Sequence, residues 1–495
     1  MNSSKSSRKP VSKISYKPIS PFEMFYQLTY MSAMASAGIT RSKTFELAAE
    51  CPSPASQYFV GINTLVQEFR FDYPEACRRV GLKAKSANIK SFLLRLSDAL
   101  RSGEPLAEYL AREAAVQGED YQNGYERDLE SMKQWSNAFS SIVISVALIV
   151  IIQVISSMIY SMDVSVMTGL VSTGLIMAGF GAWIIYRSSP QEKMTVPAAQ
   201  GSAEQKRALN LSRLLLPVSM LVIFLMNSAG VDRGYILMTV AGLILPIGIV
   251  SFISDVKTTK KDKEFSTFLR STGGMATSSG TTLKEALTKI DLSSFPALEK
   301  DIVRLSTRLQ ARVDPGLCWH KFGFETGSKL ISQVADIFYG AIQIGGDPER
   351  VGYLCSLFTS KTSQLRAKRR LASGTFSGLT TVMQGVVAGL MIFVLSIVEN
   401  FAILVKDILP QNNAAADGQA SMNLGMADFT AAELNFLTMI TVTMILLLAI
   451  VSAAAITLGD GGYRLKFALY FALTLFISGA SFILVPPLVS GILTL

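Results

Sequence analysis

The sequence predicts an all-α, polytopic helical membrane protein with about seven transmembrane helices and two related cytoplasmic helical-bundle domains. Three observations carry that expectation. The 495-residue chain is 49% hydrophobic with a mean hydropathy of +0.37, more than one water-soluble core needs. The excess is gathered into stretches long enough to cross the hydrocarbon of a bilayer. Between these lie two long polar segments whose apolar residues recur at helical spacing and which share a pair of short motifs.

Taken in order, residues 1–20 are polar and Ser/Lys-rich, lack the apolar core of a secretory signal, and read as a disordered basic cytoplasmic tail. Residues 21–140 read as a first cytoplasmic helical domain. In its run Ser91-Phe-Leu-Leu-Arg-Leu-Ser-Asp-Ala-Leu100 the apolar positions recur at three and four. Four spans follow within 141–254, at 142–159, 164–185, 214–229 and 235–253, the third being the shortest. Residues 255–375 read as the second cytoplasmic helical domain. Three more spans complete 376–495, at 376–398, 436–458 and 467–495, with a flexible outer loop expected over 405–433. Pro486-Pro487 removes two backbone donors from the last span and should kink it.

Orientation follows from the basic residues. With the N-terminus cytoplasmic, 44 of the 46 Lys and Arg fall on inner segments, and only Arg233 and Lys406 fall outside. The net charge of +9 therefore reads as membrane topology first. Nucleic acid is not an expected partner, because the basic runs have no interleaved aromatic platform. Cys51, Cys77, Cys318 and Cys355 form no C-x-x-C pair and fall in inner segments, so no disulfide is expected.

The repeat is the most informative local feature. Met34-Ala-Ser-Ala-Gly38-Ile-Thr40 corresponds to Ala276-Thr-Ser-Ser-Gly280-Thr-Thr282 at a displacement of 242 residues. Arg101-Ser-Gly103-Glu104-Pro105 corresponds to Ile344-Gly-Gly346-Asp347-Pro348 at 243. Two matches at nearly one offset imply two copies of one helical unit. Gly38 and Gly280 suit helix ends, with Thr40 and Thr282 as hydroxyl caps of the next helices. Gly103, Pro105, Gly346 and Pro348 suit corners in which the proline opens a new helix.

Little in the chain points to covalent chemistry, and no cofactor or metal is expected. Gly323-Phe-Glu-Thr-Gly327-Ser328-Lys329 departs from a phosphate loop, which places Lys directly after the second Gly and follows a strand. Cys318 and His320 lie close together, but no second cluster completes a zinc site. With His320 the single histidine, neither a Ser-His-acid triad nor a two-histidine metal centre can be built. Glu399 is expected at the outer interface, and Gln153 and Gln384 as helix-bridging amides. The basic runs Lys257, Lys260, Lys261, Lys263 and Arg366, Lys368, Arg369, Arg370 flank spans. They suit anionic lipid and inner topology, or an acidic partner, or both.

The order of parts, a cytoplasmic helical region, spans, a related helical region and closing spans, resembles a known family. With its turn at Gly345-Gly346-Asp347-Pro348, the repeated unit looks like the type II secretion system F domain of inner-membrane platform proteins in type IV pilus-like machines. Its size and span number are most similar to the archaeal branch, which serves archaella and archaeal type IV pili. The resemblance implies a non-enzymatic scaffold, a homodimer in the lipid bilayer, seated on a hexameric secretion ATPase and lifting pilin-like subunits into a filament. Within that resemblance, Lys257, Lys260, Lys261, Lys263, Arg366, Lys368, Arg369 and Arg370 are the expected ATPase-facing charges. The competing reading is a secondary transporter with a duplicated architecture.

Overall fold

The computed structural model describes residues 18–159, 164–413 and 431–493. The expected tail and outer loop fall largely outside the described residues. Among the described residues there are sixteen α-helices and no β-strand. The chain divides into two compact units. The first comprises residues up to Glu126 with Thr258–Leu365, and the second Arg127–Lys257 with Arg366–Leu495.

The helices run α1 (Pro21–Ala35), α2 (Arg41–Glu50), α3 (Ser56–Phe69), α4 (Tyr73–Leu82), α5 (Ala87–Ser102) and α6 (Leu106–Ile159). Two shorter-linked helices follow, α7 (Val164–Ser188) and α8 (Ala203–Ser228), before the long α9 (Arg233–Ser279). The pattern then recurs as α10 (Leu283–Lys289), α11 (Glu299–Gln310), α12 (Pro315–Glu325), α13 (Lys329–Gln343) and α14 (Pro348–Asn413). The chain closes with α15 (Ala431–Asp460) and α16 (Phe467–Leu493).

In the first unit, the end of α9 with α10–α13 and the start of α14 repeats α1–α6, and the backbone carries the signature. Among the described residues, Arg70 and Arg312 are the non-glycine residues with positive φ, at 57° and 58°, and each follows the third helix of its copy. Gly38 and Gly280 are left-handed at 70° and 59°, as a residue closing a helix requires. The Lys43 N–H then donates to Thr40 Oγ1 at 3.3 Å and the Glu285 N–H to Thr282 Oγ1 at 3.4 Å, so each threonine caps the next helix. At the second corner Gly103 (77°) pairs with Gly345 (101°) at the same offset of 242. Gly346 is the inserted residue and is not left-handed; its place is set by crowding, since a Cβ there would lie 2.7 Å from the Ala341 carbonyl oxygen. Pro105 immediately precedes α6 and Pro348 is the first residue of α14.

Each copy buries its own core. Leu28, Met31, Phe45, Tyr58, Phe59, Phe92 and Leu96 are sealed in the first. Phe265, Phe268, Trp319, Phe322 and Phe338 form an aromatic cluster in the second, with the Trp319 and Phe338 rings 5.5 Å apart. Each such side chain contributes roughly 1.5–3 kcal/mol on leaving water. The copies meet where α1 packs on α13 and Phe25 lies against Phe358, ring centres 4.6 Å apart.

In the second unit every one of the seven expected apolar stretches lies in a helix long and apolar enough to cross a membrane. One core joins α6, α7, α14 and α15 through Val146, Ala178, Met391 and Met444. Another joins α9 and α16 through Val240, Ile244, Ala472 and Leu475. Glycines set the second spacing: a Cβ at Gly248 would meet Leu469 Cα at 2.4 Å, and one at Gly479 would meet the Gly234 carbonyl at 3.0 Å. Without a hydrophobic force between helices in lipid, this close backbone approach is a principal source of attraction. The apolar face of α8, with Leu214, Leu221 and Phe224, stays exposed and suits acyl chains.

No helix ends at the expected boundaries after residues 140, 254 and 375. α6 and α14 run for 54 and 66 residues straight from polar into apolar sequence, and α9 for 47 residues from apolar into polar. Their composition changes at those points, but no cap or breaker accompanies the change.

Neighbouring glycines in α9 test the packing of the first unit. A Cβ at Gly273 would meet the Pro348 carbonyl at 2.2 Å, whereas one at Gly274 meets nothing within 4 Å. Gly273→Ala should cost about 1–3 kcal/mol in unfolding experiments on the full chain in nanodiscs. Gly274→Ala should be neutral or stabilising by up to about 1 kcal/mol, because only helix propensity changes.

Candidate functional site

The largest concentration of buried charge in the second unit lies where apolar stretches give way to polar sequence. α9 reaches Asp255 as it leaves its apolar stretch, and α14 brings Arg366, Arg369, Arg370 and Ser373 before its own begins. Between α15 and α16 the chain turns within Gly461-Gly462-Tyr463 and a short 3-10 turn, placing Asp460 and Lys466 on either side.

These groups converge. Lys466 Nζ lies 3.0 Å from Asp255 Oδ2 and 2.6 Å from Asp460 Oδ2, and all three side chains are at most 6% exposed. Arg370 donates to Asp255 at 2.9 Å, and the Ser373 hydroxyl donates to Asp460 Oδ1 at 2.8 Å. Arg366 forms a buried pair with Glu192, its Nε 3.1 Å from Oε1. Arg369 has a different function. Its guanidinium donates to the carbonyls of Gly459 (2.8 Å), Leu458 (3.2 Å) and Pro190 (2.8 Å). The first two are orphan carbonyls at the negative end of α15, so the cation caps a helix terminus.

The glycines of the turn follow from these charges. Gly461 has φ 69°, and a Cβ on it would stand 2.3 Å from the Arg369 guanidinium. A Cβ on Gly462 would stand 2.6 Å from Asp255 Oδ1. Deeper in the apolar region, α14 and α15 are joined by Gln384, which donates to the Ile445 carbonyl at 3.3 Å and accepts from Ser452 at 3.4 Å. Thr438 donates to Glu399 at 3.1 Å. Gln153 is buried in the same core region, and its Oε1 has no hydrogen-bond partner among the described residues.

The eight basic residues expected to face a partner thus separate into groups. Arg366, Arg369 and, in large part, Arg370 are engaged inside the second unit. Lys257 pairs with Glu204 at 2.7 Å while remaining half exposed, and Lys368 is exposed. In the first unit Lys261 is ion-paired with buried Asp301 at 2.7 Å, although not aligned as a hydrogen bond. Lys260 and Lys263 point outward from α9.

The residues near Gly323–Lys329 and His320 are corners and surface contacts. Gly323–Lys329 spans the corner from α12 to α13, where Ser328 caps α13 and bonds Asp262. His320 Nδ1 is 3.2 Å from Asp336 on the surface, where burial raises the Asp336 carboxyl against the lowering effect of His320. Burial pushes the Cys51 thiol up to about 12, and all four cysteines are buried and unbridged. Among the described residues no group of three or more His, Cys, Asp or Glu could hold a metal.

Residues 28–154 match the family of type II secretion system (T2SS), protein F. The matched stretch covers most of the first copy of the repeat and the first apolar stretch. The chain is also similar to flagella accessory protein J of Methanocaldococcus jannaschii, 25% identical over 419 residues that cover 81% of this chain and 72% of that protein. It is 23% identical over 430 residues to flagella accessory protein J of Methanococcus voltae, covering 84% and 75%. No solved structure matches significantly.

Outside the matched stretch, the buried anions Asp255, Asp460 and Glu192 are functional candidates that a reading of basic runs passes over. The available signal was positional: Asp460 and Lys466 sit six residues apart in a connection too short to carry solvated charges of its own.

Arg369→Lys should cost about 2–3 kcal/mol, because an ammonium cannot span three divergent carbonyls. The exposed Lys260→Ala should stay within about 0.5 kcal/mol. Unfolding of both variants in nanodiscs checks the contrast.

Proposed function

We propose that this chain is the cytoplasmic-membrane platform of an archaellum or type IV pilus-like filament, coupling a hexameric secretion ATPase to insertion of pilin-like subunits or to filament rotation. The observation that carries this reading is similarity along four-fifths of the chain to proteins named for flagellar assembly. The platform does no covalent chemistry of its own. It works in the lipid bilayer as a homodimer, with its N-terminus and both repeat copies in the cytoplasm; the concentration of Lys and Arg on those segments supports this orientation.

Mechanical continuity supports the coupling. α6, α9 and α14 run unbroken from residues of the first unit to residues of the second. A helix transmits displacement along its axis because every internal turn is hydrogen-bonded. Force on the repeat copies is thereby delivered to the apolar stretches, and the Lys466 network sets where the inner ends of α9, α14, α15 and α16 are tied. ATPase docking falls to outward charges that lack a strong internal commitment, with Lys260 and Lys263 foremost, because a cation already spent on a buried carboxylate gives little to a partner.

Binding and ATP turnover of the hexameric ATPase from the same filament system test this, with the full chain in nanodiscs. Wild type should bind and change turnover. Lys260→Glu with Lys263→Glu should weaken binding at least about tenfold and leave melting unchanged. Wild-type affinity in that double variant would remove these lysines from the interface, and an absence of binding by folded wild type would overturn the platform reading.

A further inference from the structure

A cavity of about 340 Å³ opens in the first unit between α6 and α14, with α1 beneath. Phe25, Leu357 and Phe358 supply its walls, and Ala115 and Gly118 keep the α6 side low. That volume and apolar character fall within the range of small-molecule sites. At about 30 Å³ for each water-sized group, it holds on the order of ten heavy atoms.

Two polar groups separate this cavity from an ordinary packing defect. Ser32 is 1% exposed and lines the cavity, yet its hydroxyl has no hydrogen-bond partner among the described residues. Helical hydroxyls normally bond back to their own backbone, as Thr29 does to Phe25 at 2.9 Å on the same helix. Leaving a buried hydroxyl unpaired costs about 1–3 kcal/mol, which an acceptor reaching Ser32 would recover. The second group is Lys361, whose aliphatic stem lies over Gly118; a Cβ there would sit 3.5 Å from Lys361 Cδ. No carboxylate lies within ion-pair distance of its ammonium among the described residues. Glu119 also lines the cavity, so the local charge is mixed.

We propose that this cavity binds a small amphiphile with an unbranched apolar chain and a single carboxylate head. Lys361 only donates and the Ser32 hydroxyl can donate, and an ionised carboxylate accepts from both. Glu119 disfavours a doubly charged phosphate head by repulsion. The apolar chain replaces empty space against Phe25, Leu357 and Phe358, where dispersion contacts are otherwise missing.

The probe is a photoreactive decanoate added to the full chain in nanodiscs, with labelled positions mapped by mass spectrometry. Label is expected around Phe25, Gly118 and Leu357, and excess decanoate should compete it away while decanol and decyltrimethylammonium do not. Lys361→Gln should lower site labelling about tenfold with Lys361→Arg largely restoring it, as a charge-assisted hydrogen bond implies. Ala115→Phe should abolish labelling by filling the cavity, and melting curves will establish that the variant folds. Label confined to the apolar stretches, equal competition by decanol, competition by decyltrimethylammonium, or unchanged labelling in Lys361→Gln would each overturn the proposal. The Lys361 variants keep the test decisive even where Ala115→Phe fails to fold.

Discussion

Lys466 stands between Asp255 and Asp460 with 4% of its side chain exposed, and the ends of four membrane helices take their positions from that arrangement. Taking three charges out of water costs several kcal/mol for each ion after relaxation, so the cluster persists only because its members are mutually satisfied. The satisfaction is specific. Asp255 takes a second cation from Arg370, Asp460 takes a hydroxyl from Ser373, and the neighbouring Arg369 closes the carbonyl end of α15. Geometry of that precision leaves no room for side chains in the turn, which is why glycine occupies both 461 and 462. An apolar substitute of similar volume could match the stability of such a cluster, but it would not fix which helix end meets which.

Much of the architecture was legible in the sequence, because the signals were of the kind a bilayer enforces. A lipid-facing helix must satisfy its own backbone and present apolar side chains, so seven apolar runs marked seven helices. The repeat was legible for another reason: Gly38 and Gly280 close helices in a conformation costly for other residues, and that requirement survives wide divergence of core side chains. The second corner was less clear, since Gly345 carries the left-handed backbone and Gly346 answers to crowding by Ala341, a distinction that depends on tertiary approach.

The basic runs were the least legible. Arg366, Arg369 and Arg370 occupy the same run as exposed Lys368, and sequence alone gave them one description. Their different fates follow from helical phase. Positions three and four apart turn toward Glu192, Asp255 and the end of α15, while Lys368 turns away. The acids that draw them inward come from distant parts of the chain, and no local pattern reveals such a pairing. A basic run beside a span therefore combines topology, internal tethering and surface charge. Burial is what separates them.

The claim that this network ties the helix ends is tested most directly by a double-mutant cycle on Lys466→Met and Asp255→Asn. The full chain in nanodiscs would be unfolded under conditions that report free energy. Each single change should cost about 3–5 kcal/mol because it leaves a buried charge unpaired. The double variant should cost less than the sum by about 1–3 kcal/mol, the coupling expected of residues in one network. Additive losses, or single losses below about 1 kcal/mol, would show that the helix ends are held by packing and that the charges are incidental.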